Sequence, residues 1–257
     1  MKYKIQCPAK INLTLKVFKK EGDFHPIESI MQTISLYDYL IIEINGTSNV
    51  NFSGNSKEIS YDKNNLVIKG MEEFFKTAQI KNPSGMDIYL EKNIPTAAGL
   101  AGGSTDCAGM IYFLNCFYNA LDNNEIKKIN SKLGSDINFC YQGSRALCKG
   151  KGDDMTPLEF EEFPISIVKP KNLKISTKDA YLAFDNLKEK SNMDNDLEFA
   201  MLPFYEELRE LHAMGFQMSG SGPSFFIKKE HADIQNSHGK YEIYENLKTV
   251  NKGVSLI

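Results

Sequence analysis

Residues 94–109 read IPTAAGLAGGSTDCAG. The side chains are too small to build a core, and the stretch is too apolar for a disordered linker. Gly99, Gly102 and Gly103 open backbone conformations that other residues resist. Where such a loop feeds a helix, the first N–H groups have no intrahelical acceptor and bind anions, phosphate above all. Ser104 and Thr105 would add hydroxyl contacts to phosphate or to a phosphate-bound magnesium ion. The competing reading is a tight strand-to-helix turn whose glycines serve only close packing. No GxxxxGK[ST] occurs, and the spacing fails GxGxxG, so neither the common P-loop nor a Rossmann turn is expected.

Three further stretches carry candidate chemistry. In PAKINLTLKV, residues 8–17, Lys10, Asn12 and Thr14 share the polar side of an alternating strand. In GSDINF, residues 134–139, Asp136 follows a helix-ending glycine. In MSGSGPSFF, residues 218–226, the run Ser219-Gly220-Ser221-Gly222 lies between Met218 and the pair Phe225-Phe226. Taken singly each has an ordinary reading: a solvated lysine, a turn or capping aspartate, a plain β-turn. The five cysteines include no CxxC pair and the four histidines no HExxH. A disulfide framework or a cysteine-rich zinc site is therefore not expected, and no side chain is assigned to a metal.

The elements that must position these residues follow from periodicity. Residues 3–17 alternate with period two, Tyr3, Ile5, Cys7, Ala9, Ile11, Leu13, Leu15 and Val17 on one side, which predicts one strand bent at Pro8. Strands are also expected around 28–44 and 86–92, and Pro95 ends a strand. Helices are expected at 64–79, 104–119 and 123–133, the last stopping at a C′ glycine, Gly134. A composition shift at 150–164 marks a domain boundary, giving domains 1–157 and 158–257. Beyond it the pattern predicts a strand at PISIVKP, a helix at 177–190 with a Ser176/Asp179 capping box, a helix at 198–214 and a strand–turn–strand at FQMSGSGPSFFIKK. This mixture argues an α+β or α/β architecture.

The chain has 257 residues, 42% of them hydrophobic and 25% charged, with a formal net charge of −3. That is ordinary for a globular protein and gives no support to wholesale nucleic-acid binding. No apolar run reaches membrane-spanning length, and MKYKIQCPAK lacks a signal-peptide core, so a cytoplasmic protein without membrane partners is expected.

PTAAGLAGGSTDCAG resembles the phosphate-binding motif of the GHMP kinases (galactokinase, homoserine kinase, mevalonate kinase and phosphomevalonate kinase). PAKINLTLKV resembles that family's first motif and MSGSGPSFF its third, in the right order across most of the chain. GDFH at 22–25, GSDINFCYQGSRALCKGKGD at 134–153 and NDLE at 195–198 resemble elements of the branch whose acceptor carries a cytidine diphosphate. Phe24 stands where tyrosine is frequent, GKGD where Gly-Arg-Gly-Glu is usual, and the tail after residue 230 matches little. The resemblance implies an α+β fold of two domains, one like ribosomal protein S5 domain 2 and one ferredoxin-like. It implies an ATP- and magnesium-dependent kinase that phosphorylates the 2-hydroxyl of 4-diphosphocytidyl-2-C-methyl-D-erythritol, acting as a monomer or weak homodimer.

Residue by residue, the resemblance makes Asp136 the general base and Lys10 the cation that steadies the γ-phosphate. It places Pro95, Ala97, Ala98, Gly99, Leu100, Ala101, Gly102, Gly103, Ser104 and Thr105 around the nucleotide. It gives the acceptor to Asn12, Phe24, His25, Tyr181, Gly220, Ser221 and Gly222. Tyr181 would stack the cytosine with Phe24 in the same wall, and His25 would hydrogen-bond its edge. The ordinary reading of Tyr181 is packing with Phe184 and Leu187. Two competitors remain: another small-molecule kinase of the superfamily, and a nucleotide-binding regulator without activity.

Overall fold

The computed structural model describes residues 1–189, 191–234 and 239–257. Its axis is an 18-residue strand, β3 (Ile27–Ile44), preceded by β1 (Lys2–Asn12) and β2 (Lys16–Val17). β1 pairs antiparallel along one edge of β3. The other edge of β3 is shared: its first half takes β6 (Arg145–Gly150), its second half β5 (Met86–Glu91). β4 (Val50–Gly54) lies parallel to β5, and β7 (Asp154–Pro157) pairs with β6. A C-terminal strand, β12 (Ser255–Leu256), returns to pair with β1.

Four helices cover one face of this sheet: α1 (Leu66–Thr77), α2 (Gly102–Tyr118), α3 (Asn123–Leu133) and α4 (Ile137–Gln142). Ile5, Cys7, Leu40, Ile42 and Ile88 from the strands pack there against Val67, Phe74, Met110, Phe113 and Ile137. A second, four-stranded antiparallel sheet runs β11–β8–β10–β9, with β8 at Pro164–Pro170, β9 at Gln217–Met218, β10 at Phe225–Ile227 and β11 at Tyr241–Lys248. Its helices are α5 (Thr177–Asp185), α6 (Asp196–Met201) and α7 (Glu206–Ala213). The two sheets meet through a shared apolar cluster in which Ala9, Ile11, Leu13 and Ile34 pack with Ile165, Ile167 and Phe226. The result is a mixed α/β fold.

The expected 3–17 strand is corrected in two respects. It ends at Asn12, because Leu15 leaves the sheet to exchange backbone hydrogen bonds with residues 194 and 196 of the second half. Its alternation also changes phase. Pro8 lies opposite Tyr37 but Ala9 lies opposite Ile34, so Ser35 and Leu36 bulge out of the ladder where proline offers no N–H. Ile5 and Cys7 face the helices; Ala9, Ile11 and Leu13 face the second sheet. Lys10 and Asn12 thereby turn toward the helix side and are 4% and 2% exposed, not solvated.

Three helix expectations also change. The 198–214 helix breaks into α6, a 3₁₀ turn at Leu202–Phe204 and α7, because Pro203 cannot continue an α-helical ladder. The 177–190 helix ends at Asp185; residue 190 lies outside the described residues. Ser176 caps it, accepting from the Asp179 N–H at 3.0 Å, but the expected capping box is only half formed, with no return bond from the Asp179 side chain to the Ser176 N–H. Gly134 ends α3 with a φ of 173°, extended backbone rather than a left-handed turn. α3 carries a full capping box, Asp122 with Glu125, that the sequence reading did not single out. All five cysteines are free, four of them buried.

Candidate active site

The three ordered motifs converge on one cleft of about 730 Å³ between the two sheets' helices. Pro95, Ala97, Ala98, Gly99, Ala101, Gly102, Gly103 and Ser104 line it, with Lys10, Asn12, Asp136, Tyr181, Gly220, Ser221 and Gly222. Leu100 and Thr105 do not. The Leu100 side chain is buried in the cluster between the sheets, and its carbonyl accepts from the Lys10 N–H at 3.1 Å. Thr105 points into the interior, fully buried, so its hydroxyl is turned away from any ligand in the cleft.

The loop before α2 is shaped by backbone, not by a capping side chain. Ala97, Gly99 and Ala101 all hold left-handed conformations, with φ of 47°, 75° and 59°. α2 starts at Gly102, two residues earlier than expected, and Ala101 supplies no side-chain cap. Its first N–H groups therefore face the cleft with no side-chain acceptor from the cap. At Gly99 a Cβ would stand 2.2 Å from the Ser219 carbonyl oxygen. Ser219 ties the motifs together: its hydroxyl donates to the Gly99 carbonyl at 3.0 Å and accepts from the Asn12 N–H at 3.2 Å.

Behind the loop lies a buried ionic cluster that the sequence reading missed. The Lys92 ammonium binds Asp38, and Asp106 at 2.9 Å; all three side chains are buried. The other Asp38 oxygen accepts from the Ile94 N–H at 2.8 Å, which ties down the chain entering the loop. Burial alone would lower the Lys92 pKa, but the two carboxylates overcome it and hold it above its ordinary value. Burial raises the Asp106 carboxyl to about 8, with Asp38 adding to the rise. The two carboxylates and the one ammonium share a dry site, where burial favours the protonated form of Asp106. The signals in sequence were Lys92, two residues before the glycine-rich stretch, and Asp106 within it.

Lys10 and Asp136 meet: Nζ lies 3.3 Å from Oδ2, with the lysine side chain buried and the aspartate part-exposed. Asp136 occupies the cap position of α4 but makes no side-chain capping bond, so its carboxylate is free of the ordinary structural duty. The Lys10 ammonium also donates to Asn12 Oδ1 at 2.6 Å.

At the far end Tyr181 lines the cleft, its ring stacked on His25 at 5.3 Å. Burial, then Asp136, pushes the Tyr181 hydroxyl up to about 12. Tyr181 and Phe184 both pack against the second core, which is the ordinary reading of Tyr181; Leu187 is not part of that cluster. His25 Nδ1 lies 3.0 Å from the Phe18 carbonyl and Nε2 lies 3.2 Å from Asp185, so both ring nitrogens already face protein acceptors. Phe24 carries the cleft-lining Lys151 ammonium over its face at 4.8 Å. The Gly220–Gly222 loop is held from behind by Asn195, fully buried, whose amide donates to the carbonyls of Met218 and Gly220 at 2.8 and 2.9 Å.

Comparison with known proteins agrees with this geometry. The family model described as GHMP kinases N terminal domain matches residues 65–144, from the start of α1 to the end of α4. A 4-diphosphocytidyl-2-C-methyl-D-erythritol kinase of Clostridium perfringens is 36% identical over 87% of each chain. The same enzyme of Clostridium beijerinckii is 38% identical over 87% of this chain and 89% of its own. The chain belongs to the 4-diphosphocytidyl-2-C-methyl-D-erythritol kinase family of GHMP kinases. A solved 4-(cytidine 5'-diphospho)-2C-methyl-D-erythritol kinase superposes with a TM-score of 0.80 at 27% identity, covering 97% of this chain and all of that one. Homoserine kinase from Cytophaga hutchinsonii shares the fold, with a TM-score of 0.71 at 16% identity. In this fold the glycine-rich stretch leads into the start of α2.

Proposed function

We propose that the protein is an ATP-dependent kinase that phosphorylates the 2-hydroxyl of 4-diphosphocytidyl-2-C-methyl-D-erythritol in the methylerythritol phosphate route to isoprenoid precursors. The observation that carries the site assignment is the 3.3 Å pair of Lys10 and Asp136 beside the glycine-rich loop. Phosphoryl transfer asks little covalent work of the protein; it asks for an in-line nucleophile and for stabilised charge. Asp136, uncommitted to its helix cap, takes the proton of the acceptor hydroxyl. Lys10 holds Asp136 in place and meets the phosphoryl oxygens with the positive end of α2.

The cradle fits a nucleotide phosphate: at Gly103 an added Cβ would meet nothing closer than 3.8 Å, so the helix start is open to the cleft. ATP supplies the phosphoryl group, and magnesium would accompany its phosphates. Such an ion would be held mainly by phosphate oxygens and water. The cytosine end of the acceptor would meet Phe24, His25 and Tyr181, and Gly220, Ser221 and Gly222 would close over the phosphates. Residues 1–157 would supply the cradle and the catalytic pair and residues 158–257 the closing wall, in a cytoplasmic monomer or weak homodimer.

The deciding experiment is ADP release by the purified protein with ATP and magnesium, using 4-diphosphocytidyl-2-C-methyl-D-erythritol, homoserine and mevalonate side by side. ADP with the first alone is the expected result. ADP with either of the others overturns the acceptor. ATP binding with no ADP from any of the three brings forward an inactive regulator.

A further inference from the structure

Lys10 is not aimed by Asp136 alone. Its ammonium donates to Asn12 Oδ1 at 2.6 Å, Asn12 Nδ2 donates to Ser29 Oγ at 2.7 Å, and Ser29 Oγ donates to the Thr14 carbonyl at 2.6 Å. Asn12 and Ser29 are 2% and 0% exposed, so water does not compete for these groups.

Each link has only one workable polarity. A backbone carbonyl can only accept, so the single hydroxyl hydrogen of Ser29 is committed to Thr14. The Ser29 oxygen is then left as an acceptor, and Asn12 must present its NH₂ to it. That turns the Asn12 carbonyl toward Lys10. With the amide reversed, an NH₂ would face the ammonium and a carbonyl would face a hydroxyl with no hydrogen to give. Both contacts would be unpaired in a buried site. The ammonium has three hydrogens: one goes to Asn12, one lies toward Asp136 at 3.3 Å, and the third faces the cleft. The relay exists because β1 stops at Asn12. Leu13 N–H still donates to the Ile30 carbonyl of β3 at 2.8 Å; the chain then leaves the ladder, and the Thr14 side chain, through Oγ1, accepts from the Ile30 N–H at 3.0 Å.

We propose that Ser29 is a positioning residue that sets the amide orientation of Asn12 and, through it, the aim of the Lys10 ammonium. Asn12 is then first a link in this relay, and any contact it makes with the acceptor is made by the groups the relay leaves over. The proposal rests on Lys10 being the phosphate-facing cation, but its first test does not.

That test is hydrogen exchange of the Asn12 side-chain NH₂, followed by ¹H–¹⁵N NMR on the ligand-free protein. Slow exchange is expected in the wild type and in Ser29→Thr, which keeps the hydroxyl. In Ser29→Ala and in the nearly isosteric Ser29→Cys, whose sulfur is a poor acceptor, exchange should be faster by at least about tenfold, with the Ile11 backbone amide still protected. If Ser29→Ala does not fold, Ser29→Cys carries the measurement. Equal exchange in wild type and in a folded variant lacking the hydroxyl overturns the relay. In turnover, the same two variants should lose kcat on the order of tenfold with KM for ATP unchanged, and Ser29→Thr should restore it. Wild-type kcat in folded Ser29→Ala overturns the link to Lys10. A wild type inactive on the cytidine acceptor refutes the proposed function and leaves the exchange result to judge the relay.

Discussion

Two acidic groups are explained here by their partners. Asp136 has one: Lys10, 3.3 Å away, with no helix cap to serve. Asp136→Ala should therefore lower turnover by about two orders of magnitude or more while leaving ATP affinity near wild type. Steady-state kinetics with nucleotide titration checks both halves, and wild-type turnover would remove the base assignment. Asp106 has Lys92 and Asp38, in a space too dry for two bare carboxylates. Its folded pKa of about 8 lies above the ordinary carboxyl value of 3.8. The folded state thus binds the extra proton between those two values, and the stability it confers is complete at low pH and is lost as pH rises through about 8. Asp106→Asn keeps an acceptor for Lys92 and removes the titration. Its melting temperature should change much less than the wild type's from about pH 5 to about pH 9, and parallel curves would refute the assignment.

At the scale of elements, the cradle is a loop whose strain is held by its neighbours. Ala97 and Ala101 sit in left-handed conformations that cost a residue with a Cβ about 1–3 kcal/mol each, and they persist because the surroundings fix them. Ser219, reaching from the second sheet's β-turn, is one such neighbour, bonded to Gly99 and to the end of β1. Gly99 has no room for a side chain against the Ser219 carbonyl and also has a positive φ. Gly99→Ala should push the two loops apart, weaken nucleotide binding by tenfold or so, and cost about 1–3 kcal/mol of stability. Nucleotide titration and denaturant unfolding test this, and an unchanged dissociation constant would show that the contact does not shape the cradle. Glu198 supports the same turn from α6: one oxygen accepts from the Met218 N–H and the other meets His212. Glu198 is buried and does not line the cleft, and burial raises its pKa despite those bonds.

For the molecule as a whole, the strand that carries Lys10 is held at both ends. β1 carries Lys10 and Asn12 at one end, and near its start Ile5 and Gln6 pair with β12 from the C-terminus. Val254, just before β12, is buried in the first core. Removing residues 254–257 should cost about 2–3 kcal/mol through lost apolar burial, and lower Tm by about 5 °C or more. Calorimetry reads the effect, and an unchanged Tm would show that β12 lies on the sheet without supporting it. The tail after residue 230 had matched little in sequence, yet β11 also comes from it and forms an edge of the second sheet.

Lys10 and Asp136 were singled out by the family resemblance. What the sequence determined by itself was local: the glycine-rich stretch at a helix start, the capped start of α5 and the strand signal around 28–44. These follow from periodicity and from backbone preferences that act over a few residues. What only the tertiary structure decided was non-local. The phase of β1 depends on two residues bulging out of β3, so the face on which Lys10 and Asn12 lie could not be read from their own alternation. Asp38, Lys92 and Asp106 become one ionic cluster, and Asn12 and Ser29 one relay, only when strands far apart in the chain are brought together. Burial then decides the chemistry, because the same side chains that would be solvated on an exposed surface must, in the dry interior, find a partner or a proton.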